Sequence, residues 1–174
     1  PLARTEVKLL NAYGEEVALG EVGEICVRGP QVMKGYLRNP EETSNTIRNG
    51  WLHSGDLGRF DDEGYLYIVD RKKDMIIRGG ENIYPIEIEE VLYQMPEILE
   101  AAVVGIPHKV YGEVPKAFVV LKEDQALTDA DIINYMKTQL AKYKVPAEVE
   151  FIASLPRNAS GKVLKHTLRP TQNV

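Results

Sequence analysis

One cysteine, Cys26, is all the chain has. It cannot close an internal disulfide, and nothing favours an oxidising compartment over the cytosol. The three histidines, His53, His108 and His166, are far apart and at no metal-ligand spacing, and Cys26 has no partner in the sequence. No metal set and no Cys-His nucleophile is therefore expected. No apolar run approaches the roughly 18 residues of a membrane span. With 27% charged and 44% hydrophobic residues and a mean hydropathy of -0.26, transmembrane and disordered classes are excluded. A net charge of -5 argues against nucleic acid as a general partner. There is no initiator methionine, basic n-region or apolar h-region, so the chain reads as a piece of a longer protein.

What is present is enough for one ordinary domain or two small ones: 174 residues. From Val7 to Val69, short apolar stretches alternate with turn signals such as Tyr13-Gly14-Glu15, Leu19-Gly20 and Asp61-Asp62-Glu63-Gly64, a β-rich reading. In Glu24 to Arg28, Ile25 and Val27 alternate with charged or small neighbours, which predicts a half-buried strand. The continuous run Tyr65 to Val69 predicts a buried one. After the charged run 70–74 the pattern changes to a strand over Met75 to Arg78, a double glycine, and a helix entered at Pro85 and ended by Pro96. That helix carries Ile88, Val91, Leu92 and Met95 on one face. Strands follow at Ala101 to Ile106 and Ala117 to Leu121, parted by a loop around Pro107 and Gly112. Thr128 with Asp131 announces a second helix that turns Ile133, Met136 and Leu140 inward, and a strand closes the series at Val149 to Ile152. The order strand, helix, strand, strand, helix, strand predicts a compact α+β domain, with its boundary in 70–74.

Charge is uneven. From Lys137 to Val174, seven basic residues face two acidic ones, a local +5 that suits a phosphate-bearing ligand, although charge alone favours a solvated surface helix and tail. Leu155 to Lys162 places a lysine in a proline-entered, glycine-containing loop. An ammonium there can bridge a carboxylate and a phosphate as charge redistributes; the alternative is a solvated loop lysine. It is not a phosphate-cradling P-loop, since the upstream glycine and the following Ser or Thr are absent. Asp56, in a glycine turn, can accept two vicinal ribose hydroxyls with Arg71 donating from the other side, or it stabilises its own turn. Gly79-Gly80 either admits a ligand close to the backbone or simply terminates a strand.

Four segments join these features: Gly50 to Asp56, Gly64 to Asp74, Gly79 to Pro85 with Glu87-Ile88-Glu89, and Pro156 to Lys162. Together and in this order they closely resemble the late core motifs of the adenylate-forming superfamily, which comprises acyl- and aryl-CoA synthetases, luciferases and peptide-synthetase adenylation domains. The resemblance runs from about Pro1 to Arg169, and Ser54, where threonine is commoner, is a small departure.

The resemblance implies an α+β fold: a β-rich subdomain, 1–73, ending the large AMP-binding domain, then a small three-layer-like mobile C-terminal domain, 74–174. It implies that Asp56 and Arg71 hold the ATP ribose with Ile68 beside the adenine, that Lys73 is a hinge, and that Lys162 is the catalytic lysine of adenylation. Gly79, Gly80 and Glu81 would line the passage for the pantetheine arm of CoA. ATP and CoA are the expected cosubstrates, with Mg2+ held mainly by a large N-terminal domain against which this chain would dock. The implied activity is acid-thiol ligation of a fatty or medium-chain acid in the cytoplasm, and the 174 residues alone are expected to be inactive. Alternatives are an aryl-CoA ligase, another adenylating enzyme, or a non-catalytic module that binds CoA or a partner.

Overall fold

The computed structural model describes residues 3–170, and the chain divides into two compact units, Pro1–Lys73 and Asp74–Val174. The first holds a five-stranded antiparallel sheet: β1 (Glu6–Leu10), β2 (Gly23–Arg28), β3 (Ile47–Arg48), β4 (Trp51–Phe60) and β5 (Leu66–Arg71). β4 is its axis. β2 lies along one edge of β4, while β3 pairs with its start and β5 with its end on the other edge. Asn49 and Gly50, with φ of 51° and 80°, turn β3 into β4; two successive positive φ values match the right-handed twist of a hairpin. A short helix, α1 (Pro40–Thr46), precedes β3. Asn39 caps it by accepting from the Glu42 amide, and Pro40 occupies the first turn, where its missing N-H costs nothing. The β-rich reading missed this helix, although Asn39-Pro40-Glu41-Glu42 carries its signal.

Two strands differ from expectation. β2 is buried on both faces at its start, since Glu24 and Cys26 are as enclosed as Ile25. The supposed buried run is the exposed β5, where Leu66, Tyr67 and Ile68 face solvent in this unit. It pairs on one side only, with β4, and an apolar run by itself does not say whether anything covers it.

The second unit comprises β6 (Ile76–Arg78), β7 (Glu81–Ile83), α2 (Pro85–Leu92), β8 (Ile98–His108), β9 (Gly112–Leu121), α3 (Asp129–Gln139), β10 (Glu148–Phe151) and α4 (Lys165–Leu168). β9 is central, flanked along its length by antiparallel β8 and on its other side by parallel β10 and by β6 at Gly112. Alternation along β8 and β9 makes two cores. Ala101, Val103, Ala117 and Val119 meet Ile88, Leu92, Ile132 and Met136 of α2 and α3, while Ala102, Val104, Phe118 and Val120 meet Leu155, Val163 and Leu168. Side chains two apart share a face, so a strand covered on both sides reads as a continuous apolar run. The layers are helices, sheet and C-terminal segment.

β8 and β9 extend beyond the expected bounds, through Pro107 and Gly112, leaving a three-residue connection at 109–111. β7 and α4 were not foreseen. α2 stops at Leu92, four residues before Pro96, because a proline ring clashes with the carbonyl at i-4 and disfavours helix at the residue before it. Met95 is still buried, beyond the helix end. The capping box of α3 is present, with the Thr128 hydroxyl accepting from the Asp131 amide and the Asp131 carboxylate accepting from the Thr128 amide. Its inward residues are Ile132 and Met136, four apart, whereas Ile133 and Leu140 pack only at the margin.

Ile132→Ala should therefore lower the stability of the second unit by about 3 kcal/mol, the scale of truncating a fully buried aliphatic, and Ile133→Ala by about 1 kcal/mol. Urea dependence of hydrogen exchange at the β8 and β9 amides measures both, and equal losses would contradict the assigned face.

Candidate functional site

Asp56 and Arg71 are directly opposed across β4 and β5. Arg71 Nε donates to Asp56 Oδ1 at 3.1 Å, and both side chains remain more than a third exposed. Asp56 lies not in a turn but at an irregularity within β4, where the Ser54 hydroxyl accepts from the Asp56 amide at 3.0 Å and the aspartate carboxylate accepts from Arg71. Gly55 sits at φ 75°, a conformation that favours glycine, and its carbonyl accepts from the Lys72 amide at 2.8 Å.

The pairing shifts between Leu57 and Gly58, leaving Val69 unpaired and setting Ile68 opposite Gly58. Paired residues share a face, as do residues two apart in a strand. Ile68 and Arg71, three apart in sequence, are thereby brought to one face with Asp56. Ile68 is 73% exposed there. A depression of about 330 Å³ lined by Ser54, Gly55, Arg71, Lys72 and Lys73 adjoins them.

The opposite face carries a cluster that sequence reasoning missed. Glu24 is 6% exposed, and its Oε2 accepts from His53 Nδ1 at 2.8 Å and Lys72 Nζ at 3.0 Å, with Arg48 3.6 Å away. Cys26 Sγ lies 3.3 Å from the same His53 nitrogen. The expectation that Cys26 has no partner is thus corrected, and Lys72 is tied to a buried carboxylate. Strand register joins these residues, pairing Cys26 with His53 and Glu24 with Leu57; local spacing carried no signal of it.

Three donor atoms, from Glu24, Cys26 and His53, lie within 4.8 Å of one another, but their chemistry does not suit Mg2+ or another hard cation. The carboxylate already holds two neighbouring cations, and Mg2+ wants oxygen ligands. Nor is this a nucleophilic pair. A carboxylate only accepts, so His53 Nδ1 carries a proton and has no lone pair for the thiol. Burial, then the Glu24 charge, pushes the Cys26 thiol up to about 11. For Glu24, burial works to raise the pKa, yet the hydrogen bonds from His53 and Lys72 prevail and hold the carboxyl below its ordinary value.

In the second unit Gly79 and Gly80, with φ of 59° and 93°, form the two-residue turn between β6 and β7, with Arg78 paired to Glu81. The Gly79 amide donates to the Tyr111 carbonyl at 2.8 Å. This geometry by itself favours glycine at both positions, and Glu81 is exposed beside them. Lys162 closes a loop organised by Asn158, whose Oδ1 accepts from the Ser160 and Lys162 amides at 3.1 and 2.9 Å. Arg157 donates to the Gly161 carbonyl at 2.6 Å and pairs with Glu100. Lys162 is exposed, and its ammonium has no partner among the described residues. The hairpin and the loop are separate features of this unit.

Comparison with known proteins gives the arrangement its family. Residues 87–162 match the AMP-binding enzyme C-terminal domain and residues 1–37 the AMP-binding enzyme model. The chain belongs to the AMP-binding, adenylate-forming enzymes. It is 50% identical to a long-chain-fatty-acid–CoA ligase of Escherichia coli O157:H7, covering 97% of this chain and 30% of that protein. It is 49% identical to a feruloyl-CoA synthase of an Amycolatopsis species, covering 95% and 34%. ATP-bound MatB from Rhodopseudomonas palustris superposes with a TM-score of 0.91 at 41% identity, over 97% of this chain and 34% of that one. The o-succinylbenzoate CoA synthetase of Bacillus subtilis with its acyl-adenylate superposes at 0.89 and 44% identity, over 99% and 35%. The chain therefore spans about a third of the length of these relatives. No described helix is long and apolar enough to cross a membrane.

Two pH effects follow from the buried cluster. The folded pKa of Glu24 is depressed, so its contribution to stability is complete above the unfolded carboxylate range and is lost as pH falls through the folded value. The folded pKa of Cys26 is raised, so stability is lost as pH climbs from about 9, where the unfolded thiol ionises, towards 11. At pH 8 iodoacetamide should label Cys26 in the folded chain about 100-fold more slowly than in urea, from thiolate fraction alone. Comparable labelling rates would remove the protonated, enclosed thiol.

Proposed function

We propose that the chain is the C-terminal part of an ATP-dependent acid-thiol ligase, an acyl-CoA synthetase, which joins a carboxylic acid to CoA through an acyl-adenylate. The observation that carries this reading is the opposed pair Asp56 and Arg71 on an open face with Ile68 alongside. It offers a carboxylate acceptor, a guanidinium donor and an apolar surface to one ligand with two hydroxyls and a flat ring. The CoA ligases and synthetases among its relatives, similar over nearly all of this chain, support the same reaction.

In the first step a carboxylate oxygen of the acid attacks the α-phosphorus of ATP, and the bond to pyrophosphate breaks. Lys162, exposed at its ordered loop, supplies positive charge to the reacting phosphoryl group. At about 4 Å and an effective dielectric near 20 one such pair is worth about 4 kcal/mol, and that energy accelerates the step to the extent that it is realised only in the transition state. In the second step the thiol of CoA, giving up its proton, attacks the acyl carbon and AMP leaves. The second unit turns about Lys73 between the steps, withdrawing Lys162 and bringing the Gly79-Gly80 turn and Glu81 to the thiol arm. Residues 1–73 then end the large AMP-binding domain and 74–174 form the mobile one. Mg2+ is held mainly by the part of the large N-terminal domain outside residues 1–73, within which Glu24, Cys26 and His53 do not suit it, and the site of action is the cytoplasm.

The acid is a fatty or medium-chain one. An aryl acid is the second reading, favoured by the equal similarity to the feruloyl enzyme.

In the complete ligase, Lys162→Ala should depress adenylation, read as pyrophosphate exchange, by roughly two to four decades. Thioester formation from supplied acyl-adenylate should stay nearly intact. Equal losses in both half-reactions would make Lys162 structural. Lys73→Pro fixes one φ, so adenylate should form while its transfer to CoA slows by about two decades or more in single-turnover assays. Equal effects on the two steps would remove the hinge.

A further inference from the structure

We propose that Glu24, His53 and Lys72 form a staple across the back of the first sheet that positions Arg71 on its front. The front role rests on the nucleotide reading above, whereas the staple stands on its own geometry.

Three observations converge on it. Glu24 is almost wholly enclosed, and an enclosed carboxylate is tolerated only when paired. Its partners come from different strands: His53 from β4, Arg48 from β3, and Lys72 from the residue just after β5. His53 is itself nearly buried, so Glu24 is a fixed acceptor for the Lys72 ammonium rather than a second mobile surface group.

Lys72 directly follows Arg71 in the turn that begins where β5 ends, and its ammonium reaches Glu24 at 3.0 Å. Leu57 pairs with both Glu24 and Asp70, which places those three on the back, while Asp56 and Arg71 are on the front. An ammonium pinned to Glu24 behind the sheet therefore fixes the backbone that presents the guanidinium in front. The Lys72 amide is also held by the Gly55 carbonyl at 2.8 Å, one residue from Asp56. Arg71 is 41% exposed and contacts Asp56 by a single hydrogen bond to Oδ1 at 3.1 Å. A side chain so open keeps considerable rotamer freedom, so where its guanidinium can reach is set by the backbone that carries it. Lys72 borders the depression beside Arg71, but its ammonium is turned to Glu24, so in this scheme Lys72 and Glu24 act through Arg71.

Three single variants, one double variant and two readouts test it. In the 174-residue chain, nitrogen-15 spectra should show slow solvent exchange at Arg71 Nε-H for the unaltered protein and for Lys72→Arg. Exchange should be at least about fivefold faster for Lys72→Met and Glu24→Gln, with β4 amide shifts reporting that each variant is folded. Unchanged exchange in folded Lys72→Met would overturn the staple whatever the ligand is. In the complete ligase, Lys72→Met should raise KM for ATP about tenfold in the adenylation step with kcat within about twofold, and Lys72→Arg should restore it. The double variant Glu24→Gln with Lys72→Met should be no worse than the poorer single, because the two act as one unit. Additive losses, or a Lys72→Arg as impaired as Lys72→Met, would overturn the proposal. Altered exchange at Arg71 with an unchanged KM for ATP would keep the staple and overturn the nucleotide role of Arg71.

Discussion

Glu24, one of two carboxylates nearly sealed from water among the described residues of the first unit, organises it. Leaving Glu24 unpaired would cost about 3 to 5 kcal/mol, so the sheet must deliver cations and a donor to it. It does so from β3, β4 and the end of β5 together. Strand order and register are constrained by that demand as much as by apolar packing, because a one-residue slip in β4 would turn His53 to the other face. The same register sets Asp56 opposite Arg71 on the front. Buried pairing on one face and the exposed candidate ligands on the other are two consequences of one alignment.

In the second unit the organising constraint is apolar. β9 is covered on both sides, by helices over Ala117 and Val119 and by the C-terminal segment over Phe118 and Val120. The second covering is what places Lys162. Leu155 and Val163 belong to that cluster, the Leu164 amide donates to the Pro156 carbonyl, and Arg157 bridges to Val163. The loop is closed at its base by the core and at its tip by Asn158, so an exposed lysine stands on an ordered support. In the proposed scheme, where that ammonium must reach a developing charge and later leave, an ordered loop suits the task.

Much of this was legible along the chain. The Thr128 and Asp131 cap is a local pair three residues apart, and the helix entry at Pro85 and the strand end at Gly79-Gly80 follow from backbone preferences of single residues. The α+β order of the second unit follows from its hydrophobic runs. The misreadings share a cause. Tyr65 to Val69 and Ala101 to Ile106 are both continuous apolar runs, yet one is an exposed edge of its unit and the other is covered on both faces. Ile132 and Ile133 are neighbours of one type, and only packing against β8 and β9 chose between them.

The sequence by itself determined the local pieces: which segments are strands, where caps and turns fall, and which residue types at which spacing resemble the adenylate-forming motifs. Those properties depend on residues within a turn or two of one another. Tertiary structure alone decided that Cys26 and His53, 27 residues apart, touch, that Lys72 lies against Glu24, 48 residues away, and that Ile68 shares a face with Arg71. The last depends on one unpaired residue in β5, and the others on strand order. Register is a property of two strands at once, and hydrogen bonds between backbone groups, identical in every residue, leave no mark of it on either sequence alone.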